Sequence, residues 1–214
     1  MTHTPNLTLY HAPQSRSVRP RWCLEEMGLE YSIERLSVMG EARKNVGGDG
    51  YKAINPMQKV PALKDGETVI LESLAICEYL GNRYGPTPLV VKPEEADYAR
   101  YLEWVHFGEA TMSMSINLML AHVAILPEKH RNPAMAQWAL DLVGKQLDCL
   151  ATRGLEGGQR EWLAADRLTL ADLSLGYMLF LLKITKQSHV IPETVNAYFD
   201  RLRALESWKR ATAD

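Results

Sequence analysis

Proline 61 is the strongest single constraint on this chain. It follows Val60 where an apolar, β-prone run begins, and a residue with no N–H to give to a ladder belongs at a strand start, an edge or a bulge. A Val-Pro bond can also be cis. Downstream, Lys64-Asp65-Gly66-Glu67 reads as a tight turn and Thr68 to Leu71 as a returning strand. Glu72-Ser73 is then the junction into an amphipathic helix carrying Leu74, Ile76, Cys77 and Leu80. The first turn of such a helix offers N–H groups, positive dipole density and the Ser73 hydroxyl to a carboxylate or phosphate, while Glu72 suits an ammonium. A serine at a helix start read alone is a cap. Taken with an extended backbone ahead of Pro61, the arrangement fits a short zwitterionic peptide.

The segments on either side supply an α/β frame. Leu7 to Tyr10 alternates as a short strand, and His11 to Arg16 reads as a loop. Ser17 is the expected N-cap of a helix carrying Val18, Trp22, Cys23, Leu24 and Met27, because Pro20 then falls in the first turn, where its missing N–H costs nothing. Gly28 closes that helix and Tyr31 to Val38 is the next strand, parallel to the first by the crossover rule. The glycine-rich stretch 39–54 reads as a loop with one short helix near Glu41 to Val46. Gly85-Pro86-Thr87-Pro88 is a break, and everything after it reads helical. One long helix is expected from Glu94 to about Ala124, another from Pro133 to about Thr152. A buried helix from Leu173 to Leu182 is opened by a capping-box pair, Thr169 and Asp172, with Leu168 as staple. A last helix or two follows residue 193, with Trp208 packing back on the body.

Composition narrows the function class. With 46% hydrophobic and 23% charged residues the chain is that of an ordinary globular protein, and a net charge of −2 supplies no field for nucleic acid. The first residues lack the basic and apolar regions of a leader, and no apolar run is long enough to span a bilayer; the expected location is cytoplasmic. Cys23, Cys77 and Cys149 are odd in number, far apart and set in helical apolar patterns, so they read as core residues. Neither a disulfide framework nor a metal site is expected.

The stretch NPMQKVPALKDGETVILESLAICEYL, with its Asn-Pro, Val-Pro and Glu-Ser signatures, resembles the glutathione-binding half of the cytosolic glutathione transferase family. The resemblance implies an α/β plus all-α fold: a thioredoxin-like domain over 1–84, a linker over 85–92 and an all-helical domain over 93–214 that supplies the electrophile pocket. It implies glutathione as co-substrate, no metal and a homodimer; the apolar positions of the long helix after residue 93 agree with the last. Carried over, Val60 ahead of Pro61 pairs its backbone with the cysteinyl part of glutathione. Glu72 and Ser73 hold the γ-glutamyl end, and Lys59 reaches the glycyl carboxylate with Lys44 and Arg16 as further candidates. Three residues compete to activate the thiol. Ser15 matches the serine-type spacing of zeta, theta and phi-like members, Tyr10 aligns with the tyrosine-type position, and Ser17 is a lesser candidate because it is needed as a cap. Gln14-Ser15-Arg16 stands where zeta members carry Ser-Ser-Cys, which argues against their isomerase activity, and an omega-like redox protein would need a cysteine near position 15. Phe107, Met112 and Tyr177 are the expected electrophile-pocket residues. In the family the segment around Thr169 and Asp172 serves folding, and Ala165 stands where glycine is common. The expected function is thiol activation for attack on a small electrophile; a non-catalytic binding protein of the same fold is the alternative.

Overall fold

The computed structural model describes residues 6–38 and 46–213. It divides the chain into two compact units, Met1–Thr87 with Leu205–Asp214, and Pro88–Ala204.

Strand β1 (Leu7–His11) lies parallel to β2 (Tyr31–Arg35) and antiparallel to β3 (Ala62–Asp65), which pairs with β4 (Thr68–Leu71), giving the order β2-β1-β3-β4. The parallel pair follows from the crossover through α1 (Val18–Met27), and Gly28, at φ 63°, closes that helix in the left-handed conformation that glycine adopts without strain. Alternation along β1 buries Leu7, Leu9 and His11, while Tyr10, on the other face, packs its ring 5.2 Å from that of Tyr51. The short helix expected near Glu41–Val46 falls, except for Val46, outside the described residues; α2 runs Gly48–Lys52. Helix α3 (Ser73–Arg83) covers the sheet together with α1.

Chain connectivity and packing part company at the C-terminus. Helix α9 (Glu206–Thr212) belongs to the first unit, whereas the sequence led us to expect a helical domain running to residue 214. The cause is indole packing: Trp208 meets Trp22 edge-on at 4.7 Å, and Trp22 Nε1 donates to Ser207 Oγ at 3.0 Å.

The second unit holds α4 (Tyr98–His106), α5 (Ser113–Leu120), α6 (Pro133–Cys149), α7 (Leu170–Ile184) and α8 (Glu193–Ala204). The single helix expected over Glu94–Ala124 starts at Tyr98 and is widened into π-turns at Phe107–Met112 and Ala121–Ile125. At the first of these, Gly108 sits where a Cβ would lie 2.3 Å from Ser174 Oγ, and that hydroxyl takes the Val105 carbonyl at 2.8 Å, so α7 presses directly on the backbone there. Asn132 caps α6 by accepting from Ala134 and Met135 N–H, with Pro133 at the first helical position. The capping box of α7 forms as read: Thr169 Oγ1 accepts from Ala171 N–H, and the Asp172 carboxylate accepts from Thr169 N–H at 2.7 Å. Among the described residues no helix is long and apolar enough to cross a membrane.

Candidate functional site

Register brings three separated segments to one end of the sheet. Tyr10 of β1 lies opposite Ala62 of β3, and Ala62 opposite Leu71 of β4. The loop after β1, the Val60-Pro61 entry to β3 and the Glu72-Ser73 exit from β4 therefore emerge side by side. Three strands at about 4.8 Å spacing put roughly 10 Å between the outer two, the reach of an extended tripeptide.

In the first of these segments the hydroxyls are tightly organised. Ser17 stands at the N-cap position of α1, but its φ and ψ of −67° and −11° are already helical and its side chain makes no cap bond, contrary to the role expected for it. Its Oγ instead lies 2.7 Å from His11 Nδ1 and 2.7 Å from Ser15 Oγ, and accepts from Ala12 N–H at 3.1 Å. Ser15 Oγ donates to the Ala12 carbonyl at 2.7 Å. Ser17 and His11 are fully buried while Ser15 and Arg16 are half-buried, so of the two serines Ser15 is the more exposed. Tyr10, the tyrosine-type candidate, is committed to the cluster around Val46, Tyr51 and Ala62.

Backbone around the second segment is held from below. The Lys59 carbonyl accepts from Tyr51 Oη at 2.6 Å and from Asn55 Nδ2 at 2.7 Å, and Gln58 Nε2 donates to the carbonyls of Val46 and Gly48. The Val60–Pro61 bond is cis. Lys59 is exposed and Val60 half-buried; Lys44 lies outside the described residues.

At the third segment Ser73 is the first residue of α3 and not its cap, so its hydroxyl is left for another role. Arg19, fully buried on α1, donates from a terminal guanidinium nitrogen to Ser73 Oγ at 3.2 Å, adding a fixed positive charge behind the α3 N-terminus. Glu72 is exposed and holds φ 66°, a conformation that costs a non-glycine residue on the order of 1–3 kcal/mol and recurs at ligand clamps. Arg19, Arg21, His11 and Tyr51 were not singled out from the sequence, and Asn55 only as part of Asn-Pro.

In the second unit the expected pocket residues divide. Met112 and Tyr177 are buried, the Tyr177 ring 6.4 Å from that of Phe180, while Phe107 is half-exposed. A cavity of about 420 Å³ in this unit is lined by other residues, among them Met119, His122, Arg131 and Leu140. Cys23 and Cys77 are buried and Cys149 half-buried, all three as thiols; the hydrogen bond with Cys77 and burial push the Cys23 thiol well up. Among the described residues no group of three or more His, Cys, Asp or Glu could hold a metal ion.

Residues 5–82 match the family described as "Glutathione S-transferase, N-terminal domain". The chain carries a glutathione S-transferase N-terminal domain. Its similarity to glutathione transferases extends through the helical unit. It is 28% identical over 222 residues to Glutathione S-transferase F10 of Arabidopsis thaliana, covering 97% of this chain and 96% of that one. It is 36% identical over 110 residues to Glutathione S-transferase 3 of Schizosaccharomyces pombe, covering 50% of this chain and 42% of that relative. A theta class glutathione S-transferase of Xanthomonas axonopodis pv. citri, solved with glutathione bound, superposes with a TM-score of 0.77 at 28% identity over 98% of each chain. The fold is thus that of glutathione transferases, a thioredoxin-like sheet domain followed by helices.

Proposed function

We propose that this protein is a glutathione transferase that binds glutathione along the end of the sheet, ionises its thiol with Ser15 and adds the thiolate to a small apolar electrophile. The observation that carries the reading is the alignment of Tyr10, Ala62 and Leu71, which sets the Ser15 loop, the Val60 backbone and Ser73 in one row. Val60 pairs its main chain with the cysteinyl residue. The γ-glutamyl carboxylate meets Ser73, the α3 N-terminus and the Arg19 charge behind them, and Glu72 takes the ammonium. Lys59 reaches the glycyl carboxylate, with Arg16 and Lys44 as further cationic candidates. Phe107, half-exposed on the helical unit, is the candidate contact for the electrophile.

Ser15 supplies the chemistry. A free thiol titrates near about 8.5, so only a few per cent is thiolate at neutral pH. A hydrogen bond to a charged acceptor is worth roughly 1.5–3 kcal/mol, which lowers that pKa by about one to two and makes half or more of the bound thiol reactive. Ser15→Ala should move the rise of kcat/KM to higher pH by about one unit or more, leaving glutathione affinity nearly intact. Calorimetry with Ser73→Ala should show a loss of roughly 1.5–3 kcal/mol in glutathione binding. A thiol titration that moves in Tyr10→Phe and not in Ser15→Ala refutes the assignment of Ser15; unchanged glutathione affinity in both Ser73→Ala and Glu72→Gln refutes the site. Binding without thiol ionisation would identify a non-catalytic glutathione-binding protein. The same reading includes a homodimer, whose interface should bury more than about 1,000 Å²; sedimentation showing only the 24.2 kDa species at micromolar concentration rejects it.

A further inference from the structure

We propose that His11 is a positioning residue that orients a chain of hydroxyl protons outward, through Ser17 to Ser15, so that Ser15 presents its O–H and not its lone pairs to the sulfur. The inference deepens the function proposed above and rests on it.

A guanidinium has only donors, and a terminal nitrogen of Arg21 lies 3.4 Å from His11 Nε2. A proton on Nε2 would set N–H against N–H, so Nε2 presents its lone pair and the ring proton sits on Nδ1. Nδ1–H then donates to Ser17 Oγ at 2.7 Å, and Ala12 N–H donates to the same oxygen at 3.1 Å. With both lone pairs of Ser17 taken, its own hydrogen goes to Ser15 Oγ at 2.7 Å in preference to the Ala12 carbonyl at 3.2 Å. Ser15 Oγ also accepts from Ser17 N–H at 3.3 Å. It is then filled as an acceptor and has only its hydrogen to give. Without a ligand that hydrogen goes to the Ala12 carbonyl at 2.7 Å; a thiolate, being charged, is the stronger acceptor and takes it over.

Polarity is the point of the device. With the opposite tautomer Nδ1 would accept from Ser17, Ser17 would accept from Ser15, and Ser15 would turn a lone pair toward the anion. Chains of aligned hydrogen bonds reinforce one another, and burial of His11 and Ser17 keeps water from breaking this one. At the His11 ring the charged neighbour that bears on the tautomer is Arg21. Arg21 reaches the ring from α1, and Glu25 of α1 and Tyr31 of β2 in turn interact with that guanidinium. Arg21 is further anchored on the Ala213 carbonyl at 3.2 Å.

Two nearly isosteric replacements separate orientation from packing. Asn in His11→Asn keeps an N–H toward Ser17, whereas Asp in His11→Asp offers an acceptor and draws the protons inward. The readouts are the ultraviolet absorbance of enzyme-bound glutathione thiolate across a pH series, and kcat and KM with glutathione and 1-chloro-2,4-dinitrobenzene. We expect the thiolate fraction near neutral pH to stay within about threefold of wild type in His11→Asn and to fall about tenfold in His11→Asp, the loss appearing in kcat and not in KM for glutathione. Equal behaviour of the two variants overturns the proposal, because a packing role would not tell them apart. Should either variant fail to fold, nitrogen-15 imidazole shifts of the wild type decide: a proton on Nδ1 of His11 supports the proposal and one on Nε2 overturns it. A wild type that leaves bound glutathione un-ionised removes the function beneath the proposal, and is told apart because the wild type itself shows it.

Discussion

Replacing Asp172 by asparagine exchanges one acceptor oxygen for an NH2 donor in a site without solvent access. The carboxylate accepts from Thr169 N–H at 2.7 Å and Thr169 Oγ1 at 3.0 Å, and from Leu163 N–H at 3.1 Å and Tyr198 Oη at 2.8 Å. A hydroxyl can turn and accept from the new NH2, but a backbone N–H cannot. Either orientation of the amide therefore orphans one buried N–H, at roughly 1–3 kcal/mol. A second effect depends on pH. Burial pushes the Asp172 carboxyl up from 3.8 to about 6, against hydrogen bonds that favour the anion. The folded state thus holds this proton more tightly than the unfolded state. Its contribution to stability is fully present below the unfolded pKa and is lost as pH rises through the folded one. Two pKa units at about 1.36 kcal/mol each make that loss roughly 3 kcal/mol. The carboxyls of Asp97 and Glu103 are held low and pull the other way, so the raw pH profile is a sum. The difference between wild type and Asp172→Asn removes them. Urea unfolding followed by tryptophan fluorescence should give the wild type an advantage of about 1–3 kcal/mol near pH 4 that shrinks to nothing or reverses by about pH 7. An advantage that grows with pH would refute the reasoning, since it would mean that the four hydrogen bonds outweigh burial.

Two further outcomes follow from the packing and the backbone. Ala165 holds φ 56° while its N–H donates to Asp97 Oδ2 at 2.8 Å; Ala165→Gly should relieve roughly 1–2 kcal/mol of left-handed strain against about 0.4–1 kcal/mol of added chain entropy, a net gain of about 0.5–1 kcal/mol by urea titration. Trp208→Ala empties the space beside Trp22 and should cost the first unit about 3–5 kcal/mol, raising its hydrogen exchange in α1 while α7 stays protected.

What the sequence discloses and what it conceals follow one physical line. The strands, their hairpin, the capping box and the closure of α1 at Gly28 were legible because each rests on interactions between near neighbours, which periodicity and turn chemistry report directly. The home of α9 was not, because Trp22 and Trp208 meet from opposite ends of the chain, and no local pattern says which unit a short terminal helix will join. The site shows the same division. Pro61, Glu72 and Ser73 stood out through conformational demands visible in the residue types themselves, although Ser17 misled, since a serine at an N-cap position whose backbone is already helical is released to bond elsewhere. Arg19, Arg21 and His11 gave no such signal. A periodicity reading sends arginine on a helix to solvent and histidine after a strand to a loop, yet all three are buried here, against the cost of desolvating them. Folded chains tolerate such violations where another gain offsets them, and three adjoining ones on β1 and α1, ending on Ser15 and Ser73, are too concentrated to be packing accidents. The residues that local rules place wrongly therefore gather at the end of the sheet where glutathione binding is proposed, and the variants of His11 and Ser15 test whether the chemistry depends on them.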